Sequence, residues 1–227
     1  MTAENNVPVI AIDGPGGSGK GTIATLLAAK LNWHLLDSGA LYRIVAAQAL
    51  AQELALDDGA ALAALATSLD IQFNADEVSV DGEDLTLTIR TEPVSVAASN
   101  VAAIPAVRAA ILGLQRAMQK DPGLVADGRD MGTVVFPAAP LKIYLDASAD
   151  VRAERRYIQL KNKGLSANVR ALLASIQARD ERDKRRAVSP LKPAADAVLI
   201  DSTELSIDEV LDRVHSEAIR RRLVGGA

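Results

Sequence analysis

Between Val7 and Thr22 the chain reads VPVIAIDGPGGSGKGT: a short, nearly unbroken apolar run with β-branched residues, a burst of glycines, and a lysine. Such a run predicts a central strand buried on both faces of a parallel sheet, because a strand with one wet face would alternate. From Gly21 onward Ile23, Leu26, Leu27, Lys30 and Leu31 recur at helical spacing, so strand, glycine loop and helix follow one another directly. The loop Gly14-Pro15-Gly16-Gly17-Ser18-Gly19-Lys20-Gly21-Thr22 matches G-x-x-x-x-G-K, with Gly21 where Ser or Thr usually stands and Thr22 one place later. Backbone N–H groups wrap a phosphate only where the chain turns tightly with no Cβ in the way, and the following helix adds its positive N-terminal end. The pattern predicts a nucleotide-binding loop with Lys20 reaching the β- and γ-phosphates; the bland alternative is a flexible turn with a solvated lysine. The missing hydroxyl after Lys20 leaves open whether Mg²⁺ is held by a protein hydroxyl or by water and the phosphates.

The β-then-α rhythm repeats. Trp33 to Leu36 reads as a second strand ending at Asp37, Ser38 and Gly39, followed by an alanine-rich helix over Leu41 to Leu54. Gly123 to Ala126, Leu141 to Leu145 and Ala197 to Ile200, each closed by an aspartate, are three further parallel strands. From Asp70 to Thr91 the texture changes: Ile71, Phe73, Val78, Val80, Leu85 and Leu87 alternate around Asp81, Gly82 and Glu83, as in a small antiparallel meander. It is flanked by predicted helices over Ala60 to Ser68 and Val94 to Gln119, and marks an inserted subdomain. Lys161 to Ser166, with Gly164, reads as a mobile tip joining two amphipathic helices, and Arg220 to Ala227 as a frayed end.

At 227 residues and 49% hydrophobic content the chain can bury one sizeable core with an insertion, and with only 3% aromatic residues helices packed with Ala and Leu supply most of it. An α/β class follows. The absence of cysteine excludes a disulfide framework or a thiolate metal site and fits a reducing compartment. The polar start Met1 to Asn6 and the shortness of the apolar run after it point to a soluble cytoplasmic protein with no membrane span. A net charge of −4 provides no global field for nucleic acid. Positive charge is instead local, with Arg152, Arg155, Arg156, Lys161, Lys163, Arg170, Arg179, Arg182, Lys184, Arg185 and Arg186 crowded between Val151 and Pro190.

Five stretches carry a resemblance: IDGPGGSGKGT (Ile12 to Thr22), LLDSGALYR (Leu35 to Arg43), ADGRDMGTVVFP (Ala126 to Pro137), RDERDKRRAVSPL (Arg179 to Leu191) and DSTELS (Asp201 to Ser206). In these the chain resembles bacterial cytidylate kinases, a branch of the nucleoside monophosphate kinases, over essentially its whole length. The glycine loop is common across monophosphate kinases, whereas LDSGALYR and DGRDMGT are specific to the cytidylate branch. The resemblance implies a P-loop NTPase-type three-layer α/β fold with a five-stranded parallel sheet. It implies a core of residues 1–61, 102–150 and 169–227, a monophosphate-binding insertion over about 62–101 with the small antiparallel sheet, and a helical lid over about 151–168. The activity it implies is transfer of the γ-phosphoryl group of ATP, with Mg²⁺, to CMP or dCMP by a monomeric enzyme.

Read for themselves, Asp37 and Ser38 look like a helix cap and Arg43 like a solvated helix face. The resemblance instead turns Ser38, Tyr42 and Arg43 to the acceptor, with Arg43 on its phosphate, where a guanidinium fork suits the anion. Asp127, Arg129 and Asp130 lie just past a predicted strand's carboxyl end, where ligands collect in open α/β sheets, so they are candidates without any family name. The resemblance places Arg129 on phosphate and sets Asp130, with Ser99 and Arg108, on cytosine; an acceptor carboxylate pairs with cytosine's exocyclic amine and repels the oxygen of uracil. Arg179, Asp183 and Arg186 fall at i, i+4 and i+7 on one helix face, which read alone is an ordinary salt-bridged surface stripe. The resemblance gives the first two to the ribose and Arg186 to phosphate, and Arg152, Arg155 and Arg156 to the ATP lid. Lys20, Arg129, Arg186 and Arg43 are thus the expected catalytic cations, and no residue is singled out as a metal ligand. A kinase of another small acceptor, or a nucleotide-dependent switch using Arg179 to Arg186 on RNA, are the competing readings; no N-K-x-D tetrapeptide supports the second.

Overall fold

The computed structural model describes residues 7–74, 77–162, 164 and 166–225. Met1 to Asn6, Lys163 and Leu165 of the basic tip, and Gly226 and Ala227 lie outside the described residues. In chain order the elements are β1 (Val9–Asp13), α1 (Lys20–Leu31), β2 (His34–Asp37), α2 (Ser38–Ala51), α3 (Gly59–Ser68), β3 (Ile71–Asn74), β4 (Glu77–Val80), β5 (Glu83–Asp84), α4 (Glu92–Val101), α5 (Pro105–Ala117), β6 (Leu124–Gly128), β7 (Leu141–Asp146), α6 (Ala149–Asn162), α7 (Val169–Arg185), β8 (Val198–Asp201) and α8 (Ile207–Arg220). They divide into two compact units, Met1–Leu36 with Met118–Ala227, and Asp37–Ala117.

The first unit holds a five-stranded sheet ordered β2-β6-β1-β7-β8. Strand β1 lies between β6 and β7, parallel to both, with Ile10 opposite Val125 on one side and Leu141 on the other. All five of its residues are buried, which is why its sequence does not alternate. Ile10, Ile12, Val125, Leu141 and Leu145 of the strands pack with Ile23 and Leu27 of α1 and Val210 and Val214 of α8. This is the P-loop NTPase-type three-layer fold. Its consequence for chemistry lies in one register pair, Asp13 with Gly128, which sets the start of the glycine loop beside Arg129 and Asp130 at the strands' carboxyl ends.

The helices begin where their caps dictate. Asn168 accepts from the Ala171 N–H at the head of α7, and Ser206 and Glu209 form a reciprocal capping box at the head of α8. The expected fraying from Arg220 does not occur among the described residues: Leu223 and Val224 pack against the core, and the Arg221 guanidinium donates to the Pro140 carbonyl at 2.6 Å.

The second unit carries α2 to α5 and the antiparallel sheet β3-β4-β5, closed around residues such as Leu62, Val94, Val101, Val107 and Ile111. The single helix expected over Val94 to Gln119 is two helices, α4 and α5, meeting at 101°. Pro105 explains the break: it has no N–H to give to the preceding turn and disfavours helical geometry at Ile104, so α5 restarts on it. The third strand of the meander is shorter than expected, with Glu83 and Asp84 in register with Val80 and Ser79 and one further bond from the Leu85 N–H to the Val78 carbonyl. Thr86 ends it, its hydroxyl accepting the Val78 N–H at 2.9 Å while its own N–H turns back to Asp84 at 2.8 Å, and Leu87 is left 80% exposed.

Candidate active site

Gly14 shows why the loop needs glycine: its φ is +154°, and a Cβ there would lie 2.0 Å from the Leu145 carbonyl oxygen. Lys20, buried at the first turn of α1, folds back across the loop, donating to the Pro15 carbonyl at 3.2 Å with its ammonium 3.9 Å from Asp127. Asp127 also approaches Gly21, the residue after Lys20. A Cβ built on Gly21 would come within 3.2 Å of its Oδ2, so the glycine clears room for a carboxylate. The Ser18 hydroxyl is buried in the loop without a hydrogen-bond partner, a cost of order 1–3 kcal/mol that a bound phosphate oxygen would remove.

Two arginines converge on the loop. A Cβ at Gly16 would lie 3.4 Å from Arg129 Nη2 and 3.7 Å from Arg179 Nη1. What holds Arg129 is Asp183, fully buried, whose Oδ2 accepts from Arg129 Nε at 2.9 Å while its Oδ1 pairs with Arg186. Burial alone would push the Asp183 carboxyl up, but Arg129, Arg186 and Arg179 outweigh it and hold the group below the usual carboxylate range. Burial likewise works against the Arg129 charge, and Asp183 again wins, keeping the guanidinium charged. The spacing of Arg179, Asp183 and Arg186 therefore marks a buried ion cluster, not a surface stripe.

Asp130 is buried at the head of a wide helical turn, Met131–Val135. The turn is tied to β1 by Asp13, whose two carboxylate oxygens accept the Met131 and Gly132 N–H groups at 2.7 and 2.8 Å. Burial pushes Asp13 up to about 7 against those two hydrogen bonds.

Arg152 does not fit a mobile lid cation. It is buried on α6, donates to the Gly16 and Ala147 carbonyls, and forms a two-pronged pair with Asp180 of α7, at 3.1 and 2.5 Å. Arg155, half-buried, forks onto Ser202, at 3.1 Å to its hydroxyl and 2.6 Å to its carbonyl, and that hydroxyl donates to the Ser18 carbonyl at 3.1 Å. Arginines of α6 thus brace the glycine loop from outside, Arg152 on the Gly16 carbonyl and Arg155 through Ser202 on that of Ser18. Arg156 is half-buried on the same helix.

Within the second unit Asp37 is the cap of α2, accepting the Ala40 N–H at 2.9 Å, and its other oxygen takes Arg43 at 2.7 Å. Arg43 is therefore not a solvated cation, and its buried Nε has no hydrogen-bond partner. Ser38 is buried one residue into the helix and accepts from Gln115. The Arg108 guanidinium lies over the Tyr42 ring, 5.7 Å from its centroid, and donates to the Ala102 carbonyl. Ser99 is buried and its hydroxyl finds no partner. Ser99 and Arg108 are thus interior polar groups, contrary to the surface reading of a helical Ser and Arg.

A sequence model of the family described as "Cytidylate kinase" matches residues 10–220. The chain belongs to the cytidylate kinase family. The "Cytidylate kinase" of Pseudomonas putida (strain W619) is 58% identical over 226 residues, covering 97% of this chain and 99% of that one. The "Cytidylate kinase" of Aeromonas hydrophila subsp. hydrophila is 59% identical over 208 residues, covering 90% of each. A crystal structure of an uncharacterized protein from Eubacterium ventriosum matches at a TM-score of 0.50 and 13% identity over 92% of this chain and 97% of that one, a likeness of fold alone. Membership of the cytidylate kinase family does not favour the RNA-switch reading, and within its basic stretch Arg186 is engaged by the buried Asp183 while Arg182, Lys184 and Arg185 stay exposed.

Four polar residues of this cytidylate kinase-family chain had no role legible in the sequence: Asp13, Gln115, Asp180 and Ser202. Asp13 could have been found as the one charge ending a wholly apolar strand. Gln115 could have been found as a polar residue at i+8 from Val107 and i+4 from Ile111, on the apolar stripe of α5. Nothing local marks the other two.

Proposed function

We propose that this protein transfers the γ-phosphoryl group of ATP to CMP, and to dCMP, giving CDP or dCDP and ADP. The observation that carries this reading is the convergence of Arg129 and Arg179 over Gly16 of a glycine loop whose Ser18 hydroxyl is buried and unpartnered. Anion-binding groups from two motifs meet there at the carboxyl ends of β1 and β6, as in-line transfer between two phosphates requires.

On this reading the loop amides of Gly14 to Thr22 and the Lys20 ammonium hold the ATP phosphates, braced by Arg155 and closed over by Arg156. Arg129 spends one of its five N–H groups on Asp183 and keeps the others for phosphate oxygens. Arg186, held by the same carboxylate, and Arg43, held by Asp37, complete the cation set for the acceptor phosphate. Asp183 and Arg179 serve the ribose, Ser38 and Tyr42 the acceptor, and Ser99, Arg108 and Asp130 the cytosine. An acceptor phosphate is already largely ionised at neutral pH, so alignment and charge neutralisation suffice and no protein nucleophile takes part.

Mg²⁺, when bound with ATP, neutralises charge on the β- and γ-oxygens. Among the described residues no group of three or more His, Cys, Asp or Glu side chains is placed to hold a metal ion. The residues fit Mg²⁺ held by phosphates and water with one carboxylate at its side, and Asp127, over Gly21 and 3.9 Å from Lys20, is that carboxylate. Asp127→Asn is expected to lower kcat by about 100-fold and to raise the Mg²⁺ concentration needed for half-maximal rate. An unchanged Mg²⁺ titration would remove Asp127 from this role.

Monomeric action in the cytoplasm without nucleic acid belongs to the same reading; the net charge of −4 supports the last of these. No single helix among the described residues is long and apolar enough to cross a membrane. The base assignment is tested by Asp130→Ala: the ratio of kcat/KM for CMP over UMP, expected at roughly 10²–10⁴ in the parent, should fall at least about tenfold. A ratio that survives the substitution would place base reading elsewhere.

A further inference from the structure

Gln115 lies on the face of α5 that also carries Val107 and Ile111, and like them it is essentially inaccessible, at 1% exposure. An apolar side chain of the same length would fill that position with no polar group to satisfy, whereas a buried amide is costly unless hydrogen-bonded. Its bond is specific: Nε2 donates to the Ser38 hydroxyl at 2.8 Å, across 77 residues of sequence and within the same compact unit. Ser38 is itself buried at the first turn of α2, beside the Asp37 cap.

A serine hydroxyl has one hydrogen and two lone pairs, and left to itself it rotates to donate or accept as its neighbours require. An amide N–H pointing at the oxygen removes that freedom, because the hydroxyl hydrogen must turn away from its donor. We infer that Gln115 is a positioning residue that fixes Ser38 as a hydrogen-bond donor toward the acceptor nucleotide. The inference rests on the reading of Ser38 as an acceptor-nucleotide contact. It specifies the partner's chemistry: a carbonyl oxygen, an unprotonated ring nitrogen or a phosphate oxygen satisfies the hydroxyl hydrogen, and an amine does not.

The test is steady-state kinetics with CMP varied at saturating ATP. Ser38→Ala and Gln115→Met are each expected to lower kcat/KM for CMP about tenfold, and the double variant to lose no more than either single one within about twofold, since both remove one hydrogen bond. KM for ATP should stay at the parent value. Gln115→Glu, assayed at mildly alkaline pH, keeps the bridge but reverses it, because an ionised carboxylate only accepts and draws the Ser38 hydrogen inward. It too should lose about tenfold in kcat/KM for CMP. Losses that multiply in the double variant, or a Gln115→Glu enzyme with parental kcat/KM, would overturn the inference and reduce Gln115 to packing. If Gln115→Met does not fold, Gln115→Glu decides. A parent enzyme with no turnover of CMP would instead remove the proposed function itself, and this inference with it.

Discussion

Replacing Asp183 with Asn is expected to destabilise the protein by about 3–5 kcal/mol, the cost typical of removing one partner from a buried ion pair. Asp183 has no exposed surface and takes Arg129 on one oxygen and Arg186 on the other, so the amide leaves two enclosed guanidinium groups without their counter-ion. For a chain of this size the loss corresponds to a fall in melting temperature of about 10 °C. The pH dependence follows from the direction of the shift. The folded carboxyl titrates below its unfolded value of 3.8, so its contribution is full above that value and disappears as pH falls through the lower folded one. The gap between parent and Asp183→Asn should therefore stay constant from neutrality down to about pH 4 and close only below it. Melting temperatures within a degree or two of each other at neutral pH would contradict the buried ion cluster.

Lys20→Met should leave the fold nearly as stable as the parent while cutting kcat about 1,000-fold, the scale on which removing one preorganised charge from a phosphoryl-transfer site is felt. The ammonium donates to the Pro15 carbonyl within the loop and stands 3.9 Å from Asp127. Methionine retains the straight apolar stem that α1 buries. Rates of ADP release read beside melting curves separate the two effects. Turnover close to the parent's would remove Lys20 from the chemistry.

What was legible in the sequence was local. The central strands stand out because burial on both faces removes alternation from runs such as Val9–Asp13 and Leu124–Gly128, and the glycine loop because close approach of the Leu145 carbonyl excludes a Cβ at Gly14. The α4–α5 break was missed because apolar spacing continues on both sides of Pro105, and periodicity is blind to a 101° turn that keeps burying the same kind of residue. Fixed i, i+4 and i+7 spacing reads alike for a surface stripe and for the cluster at Asp183; only the tertiary packing, which brings Arg129 from 54 residues away, decides. The links of Asp13 to Met131, over 118 residues, and of Gln115 to Ser38 have the same character. In both pairs a lone buried polar residue is visible, and its partner is not.

The most direct measurement is the initial rate of ADP release by the unmodified protein with ATP and Mg²⁺, comparing CMP, dCMP, UMP, AMP and GMP as acceptors. The expected result is turnover with the two cytosine nucleotides that exceeds the others by about 100-fold or more in kcat/KM, as a buried hydrogen-bonding site for the base requires. Equal rates across the panel, or no ADP release with any of the five, would contradict it.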